Sequence, residues 1–457
     1  MSFLVYDITF LVLFFLFVII FLYKKRKNLK REGIMFLYRT KLGIKFINYI
    51  GGKYKKTLKV LQYFAITCGY FLMAGIFFLF FRVIYLYIKY PQITKTVSAP
   101  PIMPLIPYFT RIFNLQSIFP DFYFTYFIIV ILVLATVHEF AHGIFARFHK
   151  VKIKSTGFGF LGPLLAAFVE PDEKQMQKKP KLAQMSILSA GTFANIITSV
   201  FFLIVMYLLF ISCFQPSGVM FQDYSYTILN KTNDVILTQD KIMVNNVSLT
   251  KINYDGRDYL VNKEVYDNSE EMFLAYHDLG AINSELKGDI SEIDGNKIES
   301  FNMVVEKING KKIGDKIIIK TDFNEKIKEY EITLEENYFR EGEPAIGIVF
   351  NNPESEGFFA KMMNLIFFYK KDGVSYKANN FILFISDLLF WLILINFFAA
   401  LFNMLPVGIF DGGRFFFLTL LGITGKEKTA KKYLKAMAYF VLLIFIAMML
   451  FWIFTFF

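Results

Sequence analysis

Residues 127–145, FIIVILVLATVHEFAHGIF, hold two histidines and one glutamate inside an otherwise apolar run. The wider run, about 122–147, is long enough for a membrane-crossing helix, which needs about 20 residues. Charged and ionisable side chains at membrane depth are costly, so their presence there marks function before structure. On a helix, His138 and His142 stand one turn apart on a single face. Two imidazoles so placed can hold one Zn²⁺, and the adjacent Glu139 can take a proton from a water activated by it. The metal brings that water's pKa toward about 7.

A catalytic zinc needs a third protein ligand and an open position. The other histidines, His149 and His277, do not supply it: His149 falls past the end of the run and reads as a solvated loop residue, and His277 lies far along the chain in a polar segment. The candidate acids are Asp387 and Asp411. Asp387 falls about 10 Å below the outer surface at 1.5 Å per residue, whereas His138 falls about 24 Å below it, so Asp387 is at the wrong depth. Asp411 follows the fifth apolar run in NMLPVGIFDGG, residues 403–413. Pro406 and Gly408 break the helix there, and a broken backbone is needed to keep Asp411 at metal depth. Non-helical backbone at that depth requires cover from protein or a wet cavity.

Outward from this site, the composition agrees with a membrane protein. Hydrophobic residues make up 55% of the 457 and charged residues 19%, against roughly 45–50% and 25% in soluble domains. Six apolar runs are long enough to cross: 3–23, 60–88, 122–147, 183–213, 381–405 and 433–457. The net charge is +12, with Lys and Arg gathered at 24–59, 148–182 and 406–432. Short basic loops mark the cytoplasmic side. That places both termini outside and the metal site near the cytoplasmic face, in what reads as a cell membrane. It also assigns the positive charge to the lipid bilayer rather than to nucleic acid. Two cysteines exclude a disulfide framework, and the first run lacks the layout of a cleavable leader.

The stretch 214–380 differs in kind. It is polar and glycine-bearing with alternating runs such as KIIIK (316–320) and YEITL (330–334), which read as strands of an extracytoplasmic domain. Its tail, 357–369, reads equally as an interfacial helix or a core helix. The resulting fold class is a polytopic α-helical membrane protein of about six transmembrane helices with an inserted β-rich domain. Its parts are two N-terminal helices joined by a basic loop (1–90), a first membrane core (91–215), the outer domain (216–360) and a second membrane core (361–457). Sequons at Asn230 and Asn246 fall in the outer domain.

HEFAH in one span, followed by Asn403, Pro406, Asp411 and Gly412 spaced as N-x-x-P-x-x-x-x-D-G, resembles the site-2 protease family of intramembrane zinc proteases. Ser189–Asn195, SAGTFAN, resembles that family's A-G-P-x-x-N segment, with Thr192 in place of proline. Residues 288–298 and 313–317 resemble the signatures of a PDZ domain, covering about 281–350; residues 219–280 remain unplaced. The resemblance implies that His138, His142 and Asp411 ligate zinc, that Glu139 is the general base, and that Asn403 and Asn195 bind substrate backbone or support the site. It implies that the loop 157–168 forms a β-hairpin that pairs with an unwound transmembrane substrate. It implies that the first two spans are an addition whose charges speak only to topology, and it leaves Glu170 solvated. Three readings compete: a catalytically inactive membrane receptor or scaffold acting through the PDZ-like domain, a zinc transporter, and a membrane metalloprotease of the class that trims prenylated proteins, which takes a downstream Glu as third ligand where no intramembrane Glu follows Glu139. The transporter would want His or acids repeated across several spans, and only the third carries His. Substrate identity and oligomeric state are not written in the chain.

Overall fold

A computed structural model describes residues 3–454 apart from 34, 90–99, 117, 162–163, 232–235, 245–246, 270, 324–325, 351–366 and 372. The chain forms two compact units, 1–208 with 383–457, and 209–382.

Six helices of the described residues are long and apolar enough to cross a membrane. They are α1 (Phe3–Lys25), α3 (Lys55–Lys89), α4 (Phe124–Phe148), α5 (Lys181–Cys213), α6 (Asn380–Asn403) and α8 (Glu427–Phe454). A helix satisfies its own backbone, which is why apolar runs of this length take no other form in lipid. Two shorter helices join them: α2 (Ile44–Lys53), and α7 (Asp411–Thr424), which follows a turn at residues 404–410.

One part of the expectation for residues 1–90 is corrected, the loop between the first two spans. Residues 24–59 do not form a plain basic loop. They fold into β1 (Leu29–Glu32), β2 (Met35–Thr40) and α2. Strand β2 pairs with β3 (Ile153–Leu161), Phe36 opposite Phe160 and Tyr38 opposite Phe158. With β4 (Leu164–Pro171) they make one sheet in the order β1-β2-β3-β4. The expected hairpin is therefore two strands of a four-stranded sheet. Glu170 is not free in solvent either: it accepts from Arg39 Nε at 3.1 Å and Ser155 Oγ at 2.6 Å, and these hold its carboxyl below the usual range. Helix α2 lies on α4 so closely that a Cβ on Gly51 would sit 2.7 Å from the Ile144 carbonyl oxygen.

Helix α1 is tied to α4 by one carboxylate. Asp7, 2% exposed, accepts from Phe124 N (2.7 Å), Thr125 N (2.9 Å), Thr125 Oγ1 (2.6 Å) and Tyr108 Oη (2.6 Å). The first backbone N–H groups of a helix have no internal partner. Asp7 supplies one for α4 and sets a negative charge at the positive end of its dipole. Replacing Asp7 with alanine orphans these buried donors, at about 1–3 kcal/mol each for those left unpaired. The expected result is a thermal midpoint lowered by several degrees in detergent, with Asp7→Asn falling between.

The second unit is β-rich. A five-stranded antiparallel sheet runs, in spatial order, Tyr226–Asn230, Met272–His277, Arg257–Asn262, Val247–Tyr254 and Ile236–Val244. This gives a fold to most of the stretch left unplaced by sequence. A second sheet contains Lys326–Thr333, Lys316–Phe323, Asp289–Ile293, Gln215–Val219 and Val374–Lys377 in that order. Leu260 and Leu249 of the first sheet share a core with Ile290, Ile317 and Ile332 of the second. Asp294 and Gly295, both at positive φ, form the two-residue turn between Asp289–Ile293 and Asn296–Lys297. His277 is 2% exposed and stacks on Tyr338 at 4.2 Å; burial, with Arg257 nearby, takes its pKa down to about 4. The sequon at Asn246 and most of 357–369 lie outside the described residues.

Candidate metal centre

The site is built from three helices. On α4, residues 138 and 142 share a face, and their rings sit 4.6 Å apart at 79°. Helix α6 stops at Asn403, and the turn that follows carries the buried Pro406. The chain then restarts as α7, with Asp411 as its first residue. The break expected at Pro406 and Gly408 ends at residue 410, and Asp411-Gly412-Gly413 is a helix N-terminus, whose dipole favours a carboxylate. The glycines serve the approach. A Cβ on Gly412 would meet the Met404 carbonyl carbon at 2.3 Å, so only glycine lets α7 start this close to the end of α6.

These elements bring His138, His142 and Asp411 together, with ligand atoms within 4.8 Å of one another. Asp411 Oδ2 lies 3.2 Å from His138 Nε2 and 3.1 Å from His142 Nε2, and the two Nε2 atoms are 2.9 Å apart. Three donors this close face a common point. Such spacing suits one small ion with bonds of about 2.0–2.2 Å. Both imidazoles are 12% exposed and the Asp411 side chain 25%, so the site is sheltered without being sealed.

The far nitrogens decide whether the rings can ligate. His142 Nδ1 donates to the Ile187 carbonyl at 2.6 Å, which leaves Nε2 bare. His138 Nδ1 lies 3.1 Å from the Asn195 amide, and Asn195 Oδ1 is buried without a partner among the described residues. With the amide turned over, Oδ1 accepts from Nδ1–H, and the orphan and the tautomer are resolved together. Such outer partners fix ring orientation and raise ligand basicity. Asn195, fully buried, thus lies behind the His138 ring. Asn403, half-buried at the end of α6, makes no side-chain hydrogen bond to the described residues.

Glu139 follows His138 directly on α4. Its Oε2 accepts from Val169 N of β4 at 2.9 Å. His149 stays outside the centre, where its Nε2 meets Ser186 Oγ at 2.8 Å. It is not a solvated loop residue as expected: burial, with Lys179 close by, takes its pKa down to about 4.

Sequence reasoning passed over Gly191. A Cβ there would stand 2.5 Å from His142 Nε2 and 2.6 Å from His138 Cε1. Its signal was its place inside SAGTFAN, one turn before Asn195. Alanine is the better helix former, so Gly191→Ala harms only through that contact. The expected result is displaced rings and retention of any metal they hold weakened by about 10²-fold, the scale of a 1 Å misplacement.

Membrane-length helices that meet at a His-His-carboxylate cluster, with a glutamate next to it in the chain, are the arrangement expected of a membrane metallopeptidase. This chain belongs to Peptidase family M50, the site-2 protease family, whose model matches residues 126–448. Over 175 residues it is 33% identical to uncharacterized protein MJ0971 of Methanocaldococcus jannaschii, a stretch that is 37% of this chain and 42% of that protein. The chain thus matches less than half the length of that relative.

Proposed function

We propose that this protein is a zinc endopeptidase that cuts transmembrane segments of other membrane proteins. The observation that carries it is the convergence of His138 Nε2, His142 Nε2 and Asp411 Oδ2, with the far nitrogen of each ring held by a partner, the Ile187 carbonyl for His142 and the Asn195 amide for His138. The residues fit zinc: two neutral imidazoles and one carboxylate leave a position open for water, the pattern of catalytic rather than structural sites. Zinc held there supplies Lewis acidity that makes water nucleophilic at neutral pH.

The rest falls to the chain's own groups. Glu139 takes the proton from the attacking water and returns it to the leaving amine. Strand β4 ends the sheet, so one of its edges is unpaired among the described strands. Val169 N–H points out of that edge to Glu139. By the period of two, Ala167 and Leu165 turn their backbone groups to the same side. A substrate helix, once unwound, can add there as a strand and come to rest beside Glu139. Unwinding is required because helical peptide groups are already paired.

In this reading the basic segments face the cytoplasm, both termini lie outside, and the metal is reached from the cytoplasmic side. The second unit is extracytoplasmic, with residues 281–350 PDZ-like, and admits substrates already relieved of bulky outer domains. In this reading Asn403 binds substrate backbone.

Removal of the metal is the direct test. In reconstituted vesicles, a zinc chelator is expected to stop cleavage of a single-span substrate, and stoichiometric zinc to restore it. Cleavage that persists at zero zinc would overturn the reading.

A further inference from the structure

The first unit has a partly open cavity of about 200 Å³, lined by α1, α4, β3 and β4. Every lining side chain is apolar, among them Phe14 and Phe15 of α1, Ile131 and Ala135 of α4, and Ala166 and Ala167 of β4. Two positions tie it to the chemistry. Ala135 stands one helical turn before Glu139, on the same face. Ala167 is two residues before Val169, whose N–H rests on Glu139, so it lies about 7 Å along the strand. A peptide added to the open edge of β4 passes the cavity as it reaches Glu139.

We infer that this cavity is a selectivity subsite that receives one large apolar side chain of the substrate, next to the bond that is cut. The inference rests on the proteolytic reading above. Size and polarity fit. An apolar cavity of about 150 Å³ stays dry and takes benzene, so this one accommodates Leu, Ile, Met or Phe. The room exists because positions 135, 166 and 167 stop at Cβ. The far wall is α1, where Phe14 and Phe15 pack on Phe124 at ring distances of 5.4 and 5.9 Å. Helix α1 lies outside the residues shared with the family. The helix that seemed only to add a span therefore shapes what this enzyme accepts.

Full-length protein in vesicles tests this. The cut in a single-span substrate is mapped by mass spectrometry, and the residues on either side are varied among Ala, Leu and Phe. Wild type is expected to favour Leu or Phe over Ala at one flanking position by about ten- to hundredfold in kcat/KM. Ala135→Leu, which fills the cavity, is expected to bring that ratio near one. Phe15→Ala, which widens it, is expected to move the preference toward Phe. Zinc content reports that each variant is folded. Cleavage with the same ratio in both variants overturns the subsite and leaves the cavity to a lipid chain. A wild type that holds no zinc and cuts nothing overturns the enzymatic reading, and the subsite with it.

Discussion

Asp411→Ala is expected to release the metal and end cleavage. Asp411 is the only carboxylate among the described residues that meets both imidazoles, at 3.2 and 3.1 Å. It is also the charged member of the set, since two neutral rings leave a divalent ion uncompensated in a low-dielectric site. Losing an outer partner of a metal ligand costs roughly 10–100-fold in affinity, and losing a ligand itself costs more. Asp411→Asn separates charge from shape: it keeps an oxygen in place and is expected to bind zinc better than alanine yet far below wild type. Zinc per protein after gel filtration and cleavage of a single-span substrate check both variants. Full zinc in Asp411→Ala would remove Asp411 from the ligand set.

Glu139→Gln is expected to give the opposite split, with metal kept and activity lost. Glu139 shares a helix with both histidines but turns its carboxylate to Val169 N–H. Glutamine can still accept that hydrogen bond, so β4 stays in place. What disappears is the ability to take and return a proton. General acid–base groups are worth about 10²–10⁴, and one carboxylate used in both halves of the reaction belongs at the upper end. The measurement is kcat beside zinc content: a fall of about 10³–10⁴ with one zinc per chain. A Glu139→Gln protein that cuts at wild-type rate would assign the proton to another group.

Much of the centre is legible in the sequence because its signals are local. The i, i+4 spacing of His138 and His142 fixes their shared face, and depth along the spans separates Asp411 from Asp387. Helix α7 is not legible, because Asp-Gly-Gly after a proline reads as a turn. The glycines are there for close packing against residues 404 and 407, which only three dimensions reveal. Strand β2 escapes for another reason. Its partner β3 is more than a hundred residues away, and MFLYRT among lysines carries no clean alternation. Asp7 was within reach: an acid in an apolar run carries the same signal that singled out Glu139. Its role still needed the fold, since the groups it caps lie on another helix. Residues 219–280 alternate in short runs, and their pairing order, with the last strand inserted next to the first, is a property of the sheet rather than of any one run.

X-ray absorption at the zinc edge of the full-length protein tests the centre most directly. The expected spectrum is one zinc per chain, with nitrogen and oxygen neighbours at about 2.0–2.2 Å and the outer scattering of two imidazoles. One imidazole is expected to vanish in His138→Ala or in His142→Ala. A sulfur shell at about 2.3 Å, or no stoichiometric zinc in protein that cuts its substrate, would contradict the account.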